Sequence, residues 1–135
     1  TKYQYGKDIQ KDERQAFAWY KAAADQGLAV AQLNVGRMLA DGMGTRKDEA
    51  LARQYFEKAA SRGDNRASFN LAMMEEKKKN YMGAYQWYEL STRDGMLDNK
   101  VITLSEGKKT ALAANLTQEQ IRQARDRADR WIQAQ

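Results

Sequence analysis

Three stretches of the chain share one arrangement of apolar and polar positions. Between Lys47 and Arg62, the residues Ala52, Tyr55, Phe56 and Ala59 fall at i, i+3, i+4 and i+7, with mostly polar or charged side chains between them. That spacing gathers the four on one face of a helix. Ala16, Trp19, Tyr20 and Ala23 carry the same stripe 36 residues earlier, and Ala84, Trp87 and Tyr88 carry it 32 residues later. A second apolar pattern alternates with the first. "AQLNVGRM" at 31–38 and "ASFNLAMM" at 67–74 share Ala31/Ala67, Asn34/Asn70 and Met38/Met74, again 36 residues apart. Two different segments agreeing at one offset mark an internal repeat.

Each unit predicts a helical hairpin. A first helix is expected over about 29–40, a turn at "DGMG", 41–44, and a second helix over 47–62. Gly42 and Gly44 suit the left-handed backbone of a sharp exit, Gly27 and Gly63 stand where C′ caps fall, and Gly95 is in register with them in the third copy. Asp12 and Asp48 are placed to cap second helices. Upstream, "YQYGKDIQKD" at 3–12 aligns with "LADGMGTRKD" at 39–48. The chain is therefore expected to enter near the end of a first helix and pass through a loop, as a mature or trimmed fragment. In the third copy the connection "EKKKN", 76–80, is four residues shorter, and Ser91 and Thr92 replace the paired alanines. Trp87 and Tyr85 are expected to be more exposed there. Residues 98–114 predict a degenerate first helix that continues or becomes irregular. Thr117 and Gln120 then form a capping-box pattern before Ile121, Ala124, Ala128 and Trp131, one apolar face on a charged helix. The expected division is into units at about 1–28, 29–64, 65–96 and a degenerate 97–116, closed by a capping segment at 117–135. One hairpin cannot bury its stripe alone, so the hairpins must stack.

Composition agrees with an all-α fold: the 135 residues include no proline, and 42% are hydrophobic. Without cysteine or histidine there is no disulfide, no thiolate metal site and no imidazole base. The acidic residues are dispersed along helices, no catalytic constellation is present, and neither an enzyme nor a cofactor is expected. No apolar run approaches the roughly 20 residues of a membrane span. A net charge of +5 and a pI near 9.4 permit an anionic ligand (nucleic acid, lipid head group or glycan) without demanding one.

The segment "AQLNVGRMLADGMGTRKDEALARQYFEKAASRG", 31–63, resembles the Sel-one-like repeat (SLR), a relative of the tetratricopeptide repeat. Ala31, Asn34, Val35, Gly36, Gly42, Gly44, Asp48, Ala52, Tyr55, Phe56, Ala59, Ala60 and Gly63 fall on the family positions. Asp12 to Gly27 matches equally well, and the resemblance covers roughly 3–95. Departures are Asp8 at the second loop glycine, Ala72 at the equivalent of Gly36, and the lost glycine loop before Asn80. The resemblance implies a right-handed α-solenoid of stacked hairpins whose concave groove serves as an adaptor surface. It also implies a bacterial protein, periplasmic or exported, of the envelope-associated or immunity type, with a cytoplasmic location as the alternative.

The aromatic pairs could stack on sugars or bases, but their helical phase favours packing between hairpins. "EEKKK" at 75–79 suits a solvated helix end, and "GKKT" at 107–110 lacks the context of a phosphate loop. In such hairpin stacks the first helices line the groove. Their outward positions are Val30, Asn34, Arg37 and Asp41 in one copy and Arg66, Asn70, Met73 and Lys77 in the next. Asn34 and Asn70 either bond backbone between hairpins or offer a donor and an acceptor to an extended peptide. Arg37, Arg66 and Lys77 favour a protein or peptide with an acidic segment. Nucleic acid has only the net charge in its favour, and the oligomeric state stays open.

Overall fold

The computed structural model describes residues 2–93 and 98–134, with side chains from residue 12 onward. Seven helices and no strand occur among the described residues: α1 (Lys2–Asp25), α2 (Ala29–Asp41), α3 (Glu49–Ser61), α4 (Asn65–Lys77), α5 (Tyr81–Ser91), α6 (Asn99–Ala113) and α7 (Gln118–Ala134). They fall into two units, 1–59 and 60–135. Gly95, the expected glycine of the third copy, lies outside the described residues, and so does the side chain of Asp8.

In the first unit, α1 packs on α2, and the Gln32 amide donates to the Ala24 carbonyl at 3.3 Å. The core is Ala31, Leu33, Val35, Met38 and Leu39 of α2 with Ala52, Tyr55, Phe56 and Ala59 of α3. Between them the chain turns through Gly42 and Gly44, both at φ +73. A Cβ on Gly44 would meet the Glu13 carbonyl oxygen at 2.2 Å, so the loop lies against the α1 backbone. Asp48 caps α3 as expected, accepting from Leu51 N–H at 3.0 Å.

The start of the chain departs from expectation. Asp12 caps nothing: it sits exposed inside α1, which runs unbroken from Lys2. The loop at 41–48 uses two left-handed glycines, whereas the aligned segment has Gly6 but Asp8 in place of the second. One glycine costs a helix only about 1 kcal/mol, so the helix continues. Trp19 and Tyr20 also depart from the expected packing, being 78% and 40% exposed.

In the second unit, α4 packs on α5, and α5 is flanked by α6 and α7. Asp64 caps α4 through Arg66 N–H at 3.1 Å, and Asn80 caps α5 through Gly83 N–H at 3.1 Å. The shortened connection turns at Lys79, φ +62, a left-handed residue that is not glycine. Tyr85 and Trp87 are buried, contrary to the exposure expected of an irregular copy. The reason is α7, whose Trp131 meets Trp87 edge-on with ring centroids 5.0 Å apart. Residues 99–113 form one helix, capped by Asp98 through Lys100 N–H at 2.9 Å. The capping box of α7 forms: Thr117 Oγ1 accepts from Gln120 N–H at 3.1 Å, and Gln120 Oε1 accepts from Thr117 N–H at 2.9 Å.

Candidate functional site

Val30, Asn34, Arg37 and Asp41 stand on α2 about one turn apart, a single row along the helix. Val30, Arg37 and Asp41 are exposed, and Asn34 is half-buried. Ala31, Val35 and Met38, between them in sequence, point into the core of the first unit. The row on α4 has the same plan in the second unit: Met73 and Lys77 are exposed, while Arg66 and Asn70 are half-buried. Ala67 and Leu71 lie beneath them in the core. Each helix therefore brings its own four predicted residues together on an accessible face.

Two of these side chains are already engaged. The Arg66 guanidinium grips the buried Asp64 carboxylate at 2.8 and 3.0 Å, a fork that raises the arginine pKa further. Asn70 Nδ2 donates to the Arg66 carbonyl one turn back, at 2.8 Å, so its bond lies within the helix rather than between hairpins. An asparagine that does bridge elements is Asn65, at the start of α4. Its Nδ2 reaches the Ser91 carbonyl at 3.1 Å, and its Oδ1 accepts from Asp98 N–H at 3.1 Å. Only the N-terminal position of Asn65 on α4 hints at this role in the sequence, because both partners lie more than 25 residues away.

Sequence patterning also misses the charge centre of the second unit. Glu89, on α5, is buried and accepts from Lys109 of α6 at 3.3 Å and from Arg125 of α7 at 3.0 Å. Arg93 stands 3.7 Å away and pairs with Asp129 of α7. Burial alone would raise the Glu89 carboxyl, but Lys109, Arg93 and Arg125 together outweigh it and hold the group below the usual carboxylate range. Of "EEKKK", Glu75 is buried and accepts from Asn80 Nδ2 at 2.8 Å, whereas the three lysines are exposed. Burial, reinforced by Glu76 at 3.1 Å, pushes the Tyr88 hydroxyl well above the ordinary phenol range. These groups hold helices of the second unit together.

A polar hollow of about 400 Å³ in the first unit is lined by Glu13, Arg14, Gly42, Gly44, Thr45 and Arg46. Its two arginines face a carboxylate, so the lining is mixed in charge. Among the described residues no group of three carboxylates could hold a metal ion, and no helix is long and apolar enough to cross a membrane.

Comparison with known proteins places this geometry. The Sel1 repeat matches residues 3–28, 29–64 and 66–96. A chitin synthase regulator of Malassezia restricta is 38% identical over 63 residues, covering 47% of this chain and 4% of the relative. A chitin synthase regulator of Saccharomyces cerevisiae is 40% identical over 59 residues, covering 44% of this chain and 8% of the relative. Among solved structures, a protective antigen of uropathogenic Escherichia coli displaying an SLR fold is similar with a TM-score of 0.78 and 27% identity. That likeness covers 89% of this chain and 26% of the antigen. The chain thus spans less than a tenth of its matched regulators and about a quarter of the antigen.

Proposed function

Because the chain belongs to the Sel1 repeat family, whose repeats are interaction modules with no enzymatic family indicated, we propose that it is a non-catalytic adaptor holding one protein partner. The contact faces are the outward rows of α2 and α4. One observation carries this proposal: inward pairs on α2 and α4 keep their apolar character, while three of the four outward pairs change chemistry. Ala31/Ala67 and Val35/Leu71 are buried, while Val30/Arg66, Arg37/Met73 and Asp41/Lys77 change chemistry from one helix to the next along the outward rows. A common framework carrying variable side chains is how repeat arrays read one partner rather than many.

Each row by itself sets an apolar group beside a cation, Val30 with Arg37 on α2 and Met73 with Lys77 on α4, and fits an extended segment of apolar and acidic side chains. Arg66 is the weaker candidate for that acidic contact, since Asp64 already occupies its guanidinium. The fungal relatives are named as regulators of a synthase, which supports action on another protein. An exported, envelope-side location is part of the proposal on the strength of the family resemblance, and fractionation of the source cells tests it.

Partner capture should be compared between the wild type and Asn34→Ala/Arg37→Glu/Asn70→Ala, with circular dichroism confirming an unchanged helix content. Loss of most captured partner is the expected result. Full capture by the folded variant would move the site to the loops or to α7.

A further inference from the structure

After α1, α2 and α3 the chain leaves through a left-handed glycine: Gly27, Gly42 and Gly63, with φ of +94, +73 and +89. After α4 that place belongs to Lys79, at φ +62. The exit is a closed Schellman turn. Lys79 N–H donates to the Glu76 carbonyl at 2.9 Å, and Asn80 N–H donates to the Glu75 carbonyl at 2.9 Å. Glycine adopts this backbone freely, whereas a lysine strains it through its Cβ. The side chain offsets none of that strain within the fold: it is exposed and meets no partner among the described residues. A side chain held at such a place points to a task outside the fold.

The charges around Lys79 point the same way. Lys77 and Lys78 precede it, also exposed and without a partner among the described residues. No acidic residue follows until Glu89. The two glutamates just before are engaged elsewhere. Glu75 is buried and accepts from Asn80 Nδ2 at 2.8 Å, and Glu76 accepts from the Tyr88 hydroxyl at 3.1 Å. Lys108 of α6 stands 3.7 Å from the same Glu76, which brings a further ammonium to this end of the second unit.

We propose that the Lys77–Lys79 turn docks a run of carboxylates, an acidic stretch of Asp and Glu side chains on the protein partner. The inference rests on the adaptor reading above and extends it from the α4 row, where Lys77 stands, around the helix end to Lys78 and Lys79. Helix α4 ends and α5 begins at this turn, so their opposed dipoles largely cancel and the potential is that of the lysines. Asn80 Oδ1 already takes the Gly83 N–H at the start of α5, and the turn holds no arginine. A compact phosphate therefore finds neither that N–H nor a planar fork. Ammoniums on separate flexible stems instead meet single charges spaced along a chain.

The probe is fluorescein-labelled octaglutamate, titrated by anisotropy against the intact chain at about 50 mM salt. Saturable binding is expected below about 1 mM. Lys78→Gln/Lys79→Gly should weaken it at least about fivefold while raising the thermal midpoint by about 3 °C, because glycine relieves the left-handed turn. Unfolding cannot produce that pair of changes. As a charge control, Arg127→Gln/Arg130→Gln removes two exposed arginines of α7 and should leave the binding unchanged. The Asn34→Ala/Arg37→Glu/Asn70→Ala protein keeps all three lysines and should bind octaglutamate like the wild type, so the two readings fail separately. Absence of saturable binding, equal weakening by the α7 variant, or a midpoint that falls with the glycine overturns the proposal. So does tighter binding of an oligothymidine of the same length at these lysines, which would assign the turn to nucleic acid.

Discussion

A Cβ on Gly36 would stand 2.7 Å from two ring carbons of Phe56, a buried side chain with little room to retreat. Gly36→Ala should therefore lower stability by about 1–2 kcal/mol, overpacking outweighing the gain in helix propensity. Chemical denaturation with helix content as the readout checks it; an unchanged or raised midpoint would show that the ring moves aside at no cost. Single residues differ in how far the sequence announces them. Asp48, Thr117 and Gln120 act through backbone groups three residues away, so their capping is legible from local spacing. Asp12 has the same local signal as Asp48 and fails, because its role depended on a loop that Asp8 does not support. Trp19 and Trp87 share a position in the repeat, yet one is open and the other buried, since burial belongs to the neighbour and not to the residue.

At the scale of elements, α6 and α7 are fastened to α5 through Glu89 as well as through apolar contact. The folded carboxyl is held below its usual range, so it contributes stability at pH values above the unfolded pKa of about 4.3. That contribution is lost as pH falls through the lower folded value. Thermal midpoints should thus stay level from neutral pH to about 5 and drop below about 4, with a smaller drop in Glu89→Gln. At neutral pH the same substitution should cost about 2–3 kcal/mol, less than a fully buried pair because Arg125 is largely exposed. Equal acid sensitivity in the two proteins would assign the effect to other carboxylates. Helices α2, α3, α5 and α7 were legible from their periodic faces and caps. The docking of α7 on Trp87 was not, because Trp131 lies 44 residues further along the chain and nothing local links the two rings.

At the scale of the whole molecule, the +5 charge is the balance of 23 basic and 18 acidic residues. Many basic groups are already paired: Arg66 with Asp64, Lys109 and Arg125 with Glu89, Arg93 with Asp129. Retention of random duplex DNA should accordingly vanish between about 50 and 200 mM salt, while capture of the protein partner weakens less than about tenfold. DNA retention that survives the higher salt would favour the anionic-ligand alternative. By itself the sequence determined the repeat, the helical hairpins, their family and the rows that face outward on α2 and α4, because each follows from residue spacing along one or two turns. Tertiary structure alone decided that α1 runs straight through its expected loop, that Trp19 stays open while Trp87 closes, and that Glu89 joins three helices. Those outcomes depend on which distant segment arrives to cover a face, and no periodicity within the segment records that.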